Sequence, residues 1–118
     1  MTATVKMFSY AELQSLPVSH GSARYSTDSV QVLGAYLASE AFTVETGSQS
    51  NSATATAPTG SRLAKVEVQT GKTVAYEITP ANGTLRTVSA TTSPTIEGRN
   101  NIIPLGPSDR LSFLDVTA

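Results

Sequence analysis

One histidine, nine carboxylates and no cysteine define the chemistry this chain could perform. His20 lies in Ser19-His20-Gly21-Ser22, a polar stretch that reads as a loop. Ser19, Ser22, Asp28 and Asp109 are the residues a Ser-His-Asp arrangement would have to draw on, but no GxSxG elbow presents a nucleophile. His20 is therefore expected to be an ordinary loop histidine. A single imidazole without thiolates also gives no metal-ligand spacing, and no DxDxDG calcium loop occurs. Glu67 and Glu77 are the one carboxylate pair that neighbouring strands might bring together, as glycosidases require. Both stand opposite the apolar positions of their runs, with Lys65 and Lys72 nearby, so solvated charges are the plainer expectation.

Three short motifs resolve the same way. Gly71-Lys72-Thr73 copies the end of a phosphate-binding loop, but Val66 occupies the place of the loop's first glycine, and the motif falls between two strand-like runs. Ile96-Glu97-Gly98-Arg99 matches a protease recognition site inside the chain, and Asn82-Gly83-Thr84 is a glycosylation sequon with no secretion signal beside it. No catalytic, cofactor-binding or metal-binding residue is expected, and the protein is expected not to be an enzyme.

Composition narrows the partners. The 118 residues carry 8 basic and 9 acidic side chains, only 14% of the chain, where about 25% is usual. Scattered cations at a net charge of −1 lack the footprint that neutralises nucleic-acid phosphates. No window is long and apolar enough to span a bilayer, and the first residues lack the basic start and apolar run of a signal peptide. Neither nucleic acid nor membrane is expected as a partner, and synthesis in the cytoplasm is expected. Leu, Ile, Val and Phe make up 22% of the residues, while Ser 15, Thr 17 and Ala 14 supply much of the rest. The expectation is a folded domain with a lean core and an uncharged surface.

Ser9 and Glu12 have capping-box spacing, Phe8 and Leu13 stand where a hydrophobic staple would join, and Pro17 ends the run; this predicts a short helix over Tyr10–Leu16. Residues 1–29 are accordingly expected to form an N-terminal arm and that helix. Residues 30–118 read as an all-β, antiparallel, jelly-roll-like β-sandwich. Strands are expected over Val30–Leu37, Ala41–Glu45, Arg62–Gln69, Thr73–Thr79, Asn101–Leu105 and Arg110–Val116, with Pro104 placing its strand at an edge or end. The tight link Thr70-Gly71-Lys72 and the turn dipeptide Asn82-Gly83 predict a three-stranded meander from Arg62 to about Ser89. Residues 46–61, TGSQSNSATATAPTGS, have no charge, no aromatic ring and no aliphatic side chain larger than Ala, and are expected to be a flexible loop or an arm over a neighbouring subunit.

The C-terminal half supplies the remaining clue. An arginine-led strand from Arg62, a second strand, then Ile103-Pro104-Leu105, a Pro/Gly turn, Asp109 and Leu111-Ser112-Phe113 resemble the small β-sandwich virion proteins encoded among the head genes of tailed bacteriophages. Residues 1–60 carry no such resemblance. What it implies is a non-enzymatic capsid decoration or cement protein on the virion surface, made in the host cytoplasm. Its partners would be the major capsid protein and copies of itself, a trimer being the implied order. A carbohydrate- or ligand-binding β-sandwich module and a head–tail or tail component are the alternatives. The first would need an aromatic platform, and Phe42, Tyr76 and Phe113 are expected in the core.

Overall fold

The computed structural model describes residues 2–17 and 29–118, with side chains described for 2–12 and 34–118. Among the described residues eight strands run in order: β1 (Thr2–Pro17), β2 (Ser29–Glu45), β3 (Ala53–Thr56), β4 (Leu63–Val68), β5 (Thr73–Thr79), β6 (Thr95–Glu97), β7 (Asn101–Pro104) and β8 (Arg110–Asp115). They form two antiparallel four-stranded sheets, sheet A in the order β2-β1-β4-β7 and sheet B in the order β3-β8-β5-β6. The described residues contain no helix, and so none long and apolar enough to cross a membrane.

Period-two alternation gives each sheet one apolar face. Ala3, Val5 and Met7 of β1, Val66 and Val68 of β4, Leu111 and Phe113 of β8 and Val74 of β5 join one buried cluster, so the inner faces of the two sheets share a core. The filling is lean: Ala and Val predominate, and Phe113 is the one aromatic ring of the described residues that is fully enclosed, with Phe42 against it at 6.0 Å.

The helix expected over Tyr10–Leu16 is absent; these residues continue β1 and pair with β2 as far as Pro17↔Ser29. A capping box contributes about 1 kcal/mol to a two-turn helix that is too short to overcome its own nucleation cost, whereas the strand gains a ladder rung at nearly every residue. Residues 2–10 are likewise no arm, because Val5 through Tyr10 also pair with β4. The two strands expected between Val30 and Glu45 are one, irregular where the register slips between Ser9 and Tyr10 and Ala35 takes a positive φ of 54°.

The expected meander is also replaced. β4 and β5 do not pair; they belong to different sheets, and Thr70-Gly71-Lys72 crosses between them, with Gly71 at φ 82° and Lys72 N–H donating to the Gln69 carbonyl at 3.0 Å. In an arch of this kind the strands face each other through side chains, which is why Val66, Val68 and Val74 meet in one core. The Asn82-Gly83 turn closes through Gly83 N–H to the Pro80 carbonyl at 2.9 Å, without positive φ at either residue, and leads into irregular chain.

Residues 46–61, expected as a flexible loop, include β3, which pairs with β8, and bury Ala55, Ala57 and Ser61. The segment is further tied to the β5–β6 connection: Asn51 accepts from Val88 N–H at 3.0 Å and donates to the Arg86 carbonyl at 3.0 Å, and Ala90 N–H reaches the Ser48 carbonyl at 2.9 Å. This lays Val88 over the outer face of sheet B, where it is buried with Ala75 and Leu114.

Candidate functional site

Among the described residues the sequence-derived candidates do not converge. His20, Ser19, Ser22 and Asp28 lie outside the described residues. Asp109 is a turn residue: it accepts from Gly106 N–H at 2.9 Å and from Ala81 N–H at 3.1 Å. Glu67 stands in β4 of sheet A, in register with Lys6, while Glu77 stands in β5 of sheet B, in register with Ser112. Each lies between core-facing neighbours of its own strand, so the two carboxylates sit on opposite outer faces and cannot act on one substrate bond. Glu77 instead accepts from the Ser93 hydroxyl at 2.6 Å, and Ser93 accepts from Ser89 N–H at 2.9 Å, which fastens the β5–β6 connection onto sheet B. Gly71-Lys72-Thr73 is the inter-sheet crossing, with no helix N-terminus beside it among the described residues. Among the described residues no three His, Cys, Asp or Glu side chains are grouped to hold a metal ion.

The feature that stands out is a surface. On sheet B the outer face is covered by the protein's own chain at Val88. On sheet A, pairing registers place Tyr36, Tyr10, Leu63 and Pro104 in one row across all four strands, and Ser39, Phe8, Lys65 and Ile102 in the next. These rows lie on the outer face, since the alternating residues Met7, Ala64 and Ile103 enter the core. Tyr36 is 57% exposed and Ile102 46%, while Leu63, within the first row, is buried. The Tyr10 and Tyr36 rings meet at 5.7 Å with their planes tilted by 59°. Apolar and aromatic groups dominate these two rows, and Lys65 is their single charge.

Farther along the same face the character changes. An open cleft of about 370 Å³ is lined by Thr4, Lys6, Glu67, Gln69 and Arg99 among others, and contains no aromatic ring. Its floor is held by the Gln69 side chain, which accepts from Thr4 N–H at 3.0 Å, while Gln69 N–H returns a bond to the Thr4 carbonyl at 2.9 Å. Beside it the β6–β7 turn, Gly98 at φ 76°, is fixed by the Asn101 amide, which donates to the carbonyls of Val66, Glu97 and Gly98 at 3.1, 3.0 and 3.2 Å.

At the other end of the face β1 and β2 run on together. β4 pairs with β1 from Val5 to Tyr10, so among the described residues 11–17 of β1 have β2 as their one strand partner and form a two-stranded ribbon beyond the sheet. At roughly 3.4 Å per residue the ribbon reaches about 24 Å. This surface is hidden in the sequence, because the capping-box spacing places Tyr10 in a helix and the Tyr36 row exists only once four strands are in register.

No protein-family model matches the chain, and comparison with curated proteins and with solved structures gives no significant match.

Proposed function

We propose that the chain is a non-enzymatic virion structural protein, a capsid decoration or cement subunit that lays the outer face of sheet A on the capsid shell and reinforces it. The observation that carries this reading is the asymmetry of the two outer faces: one is sealed by Val88, and the other carries Tyr36 and Ile102 about half exposed in an apolar double row. Such a row loses little on desolvation and gains about 25 cal/mol per Å² of apolar surface buried against a partner. The low charge of the chain serves the same end, because ions are costly to strip of water in an interface core.

Strand order supports a jelly-roll-like β-sandwich as the scaffold. Counting from β2, with β1 taken last, the sheets read 1-8-3-6 and 2-7-4-5, the order of a jelly roll whose final strand has moved to the front. The ends fit this relation: Thr2 pairs with Glu45, and Asp115 bridges to Thr46, so both termini meet at adjacent residues. The resemblance of Ile103-Pro104-Leu105, Asp109 and Leu111-Ser112-Phe113 to phage head proteins supplies the biological setting.

The test is mass spectrometry of purified phage particles; the reading requires this chain in stoichiometric amount on intact heads, and its absence from them would end it. A second reading, a glycan-binding module, draws on the exposed Tyr36 beside Tyr10. Specific binding by the isolated protein on a glycan array, lost in Tyr36→Ala, would favour that reading instead.

A further inference from the structure

The four sheet edges are guarded unequally. β3 and β6 are four and three residues long, and β7 is four residues long and ends in Pro104, all of them edges too short or too blocked to recruit another strand. β2 is the fourth edge and runs for 17 residues. From Ser29 to Ser39 it contains no Lys, no Arg, no carboxylate and no proline, the residues that normally protect such an edge. The other edge of the ribbon, along β1, carries Glu12 and ends in Pro17.

We propose that the β2 edge over Ser29–Gly34 pairs antiparallel with the same segment of a second copy of this chain. Among the described residues no strand pairs with the outer edge of β2, and an open ladder of N–H and C=O groups calls for an extended strand. The strand count selects a second copy. The ribbon has two strands, below the three or more that make a sheet stable by itself, and edge-to-edge union of two copies produces four. Each copy thus supplies what the other lacks, as an isologous two-fold contact requires. Charge then selects the segment. A two-fold axis at the base of β2 would set Glu40 of one copy opposite Glu45 of the other, and an axis midway along it would fall on the irregularity at Ala35. An axis near Val32 meets only uncharged residues and keeps all four of these glutamates away from the contact. The pairing is independent of capsid binding, and it produces dimers where the phage resemblance implies trimers.

The experiment is light scattering of the full chain across a concentration series, with Val32→Lys and Val32→Glu as variants. The native protein is expected to approach the mass of two 12.3 kDa chains. Each variant places like charges face to face at the axis and is expected to weaken association on the order of tenfold, and an equimolar mixture of the two is expected to restore it. In parallel, hydrogen exchange of the native chain should show residues 29–34 gaining protection as dimer forms, which tests the contact even if a variant loses its sheet. A single-chain mass at every concentration, a three-chain mass, dimers that survive in both variants, or dimerisation without added protection at 29–34 would overturn the proposal.

Discussion

Replacing Phe113 by Ala removes the one aromatic ring that is wholly enclosed among the described residues, at the centre of β8 and between both sheets. Ala53 and Tyr76 flank it in register, Phe42 packs on it from sheet A at 6.0 Å, and the surrounding Ala and Val side chains are too short to collapse into the space. A cavity of that kind costs about 3–5 kcal/mol. For a chain of this length the total stability is of order 6–18 kcal/mol, so the loss is a large fraction of it. With a urea slope of about 1.5 kcal/mol/M, the unfolding midpoint should fall by about 2–3 M with the slope unchanged. Tyr36→Ser is the matched control: the ring is 57% exposed, and its removal should cost at most about 1 kcal/mol, a shift below about 0.7 M. A Phe113→Ala shift below about 1 M, or a Tyr36→Ser shift as large as that of Phe113→Ala, would refute the assignment of one ring to the core and the other to a contact surface.

Three further outcomes follow from particular contacts. Asn101→Ala frees the carbonyls of Val66, Glu97 and Gly98 and should destabilise by about 1–3 kcal/mol; a protease specific for Ile-Glu-Gly-Arg should then cut after Arg99 several-fold faster in limited digestion than in the native chain. Asp109→Ala strands the Gly106 and Ala81 amides and should lower stability by about 1–2 kcal/mol by urea unfolding, with Asn restoring part of the loss because its carbonyl can serve one of the two donors. A circular permutant with the termini joined by a short Gly/Ser linker and the chain opened at the exposed Thr59-Gly60 should retain the native far-UV circular dichroism and unfold cooperatively, because both ends meet at Glu45–Thr46.

The strands were more legible than their arrangement. Alternation located Thr73–Thr79 without error and Leu63–Val68, Asn101–Pro104 and Arg110–Asp115 within a residue or two, and Pro104 correctly marked an edge. Alternation encodes which side chains share a face and is silent on which strand is the neighbour, so the three-residue link at Gly71 fitted a hairpin as well as the inter-sheet arch that forms. The local signals at Ser9 and Glu12 were outweighed by a pairing with β2, whose residues lie up to 43 positions away in the Thr2↔Glu45 rung. In residues 46–61 the Ala-Thr alternation of β3 was present, but small side chains hid it; Ala55 and Ala57 are buried because close approach, rather than bulk, fills their places. The Tyr36–Tyr10–Leu63–Pro104 row draws one residue from each of four strands, so no local window contains it.

The outer face of sheet A is tested most directly by co-sedimenting the purified protein with empty capsid shells, native chain against the double variant Tyr36→Ser/Ile102→Ser. These two changes lie outside the core and should leave urea unfolding within about 1.5 kcal/mol of native. The native chain is expected to bind saturably and the folded double variant at least tenfold more weakly; equal binding by the two, or none by either, would contradict the proposed capsid contact.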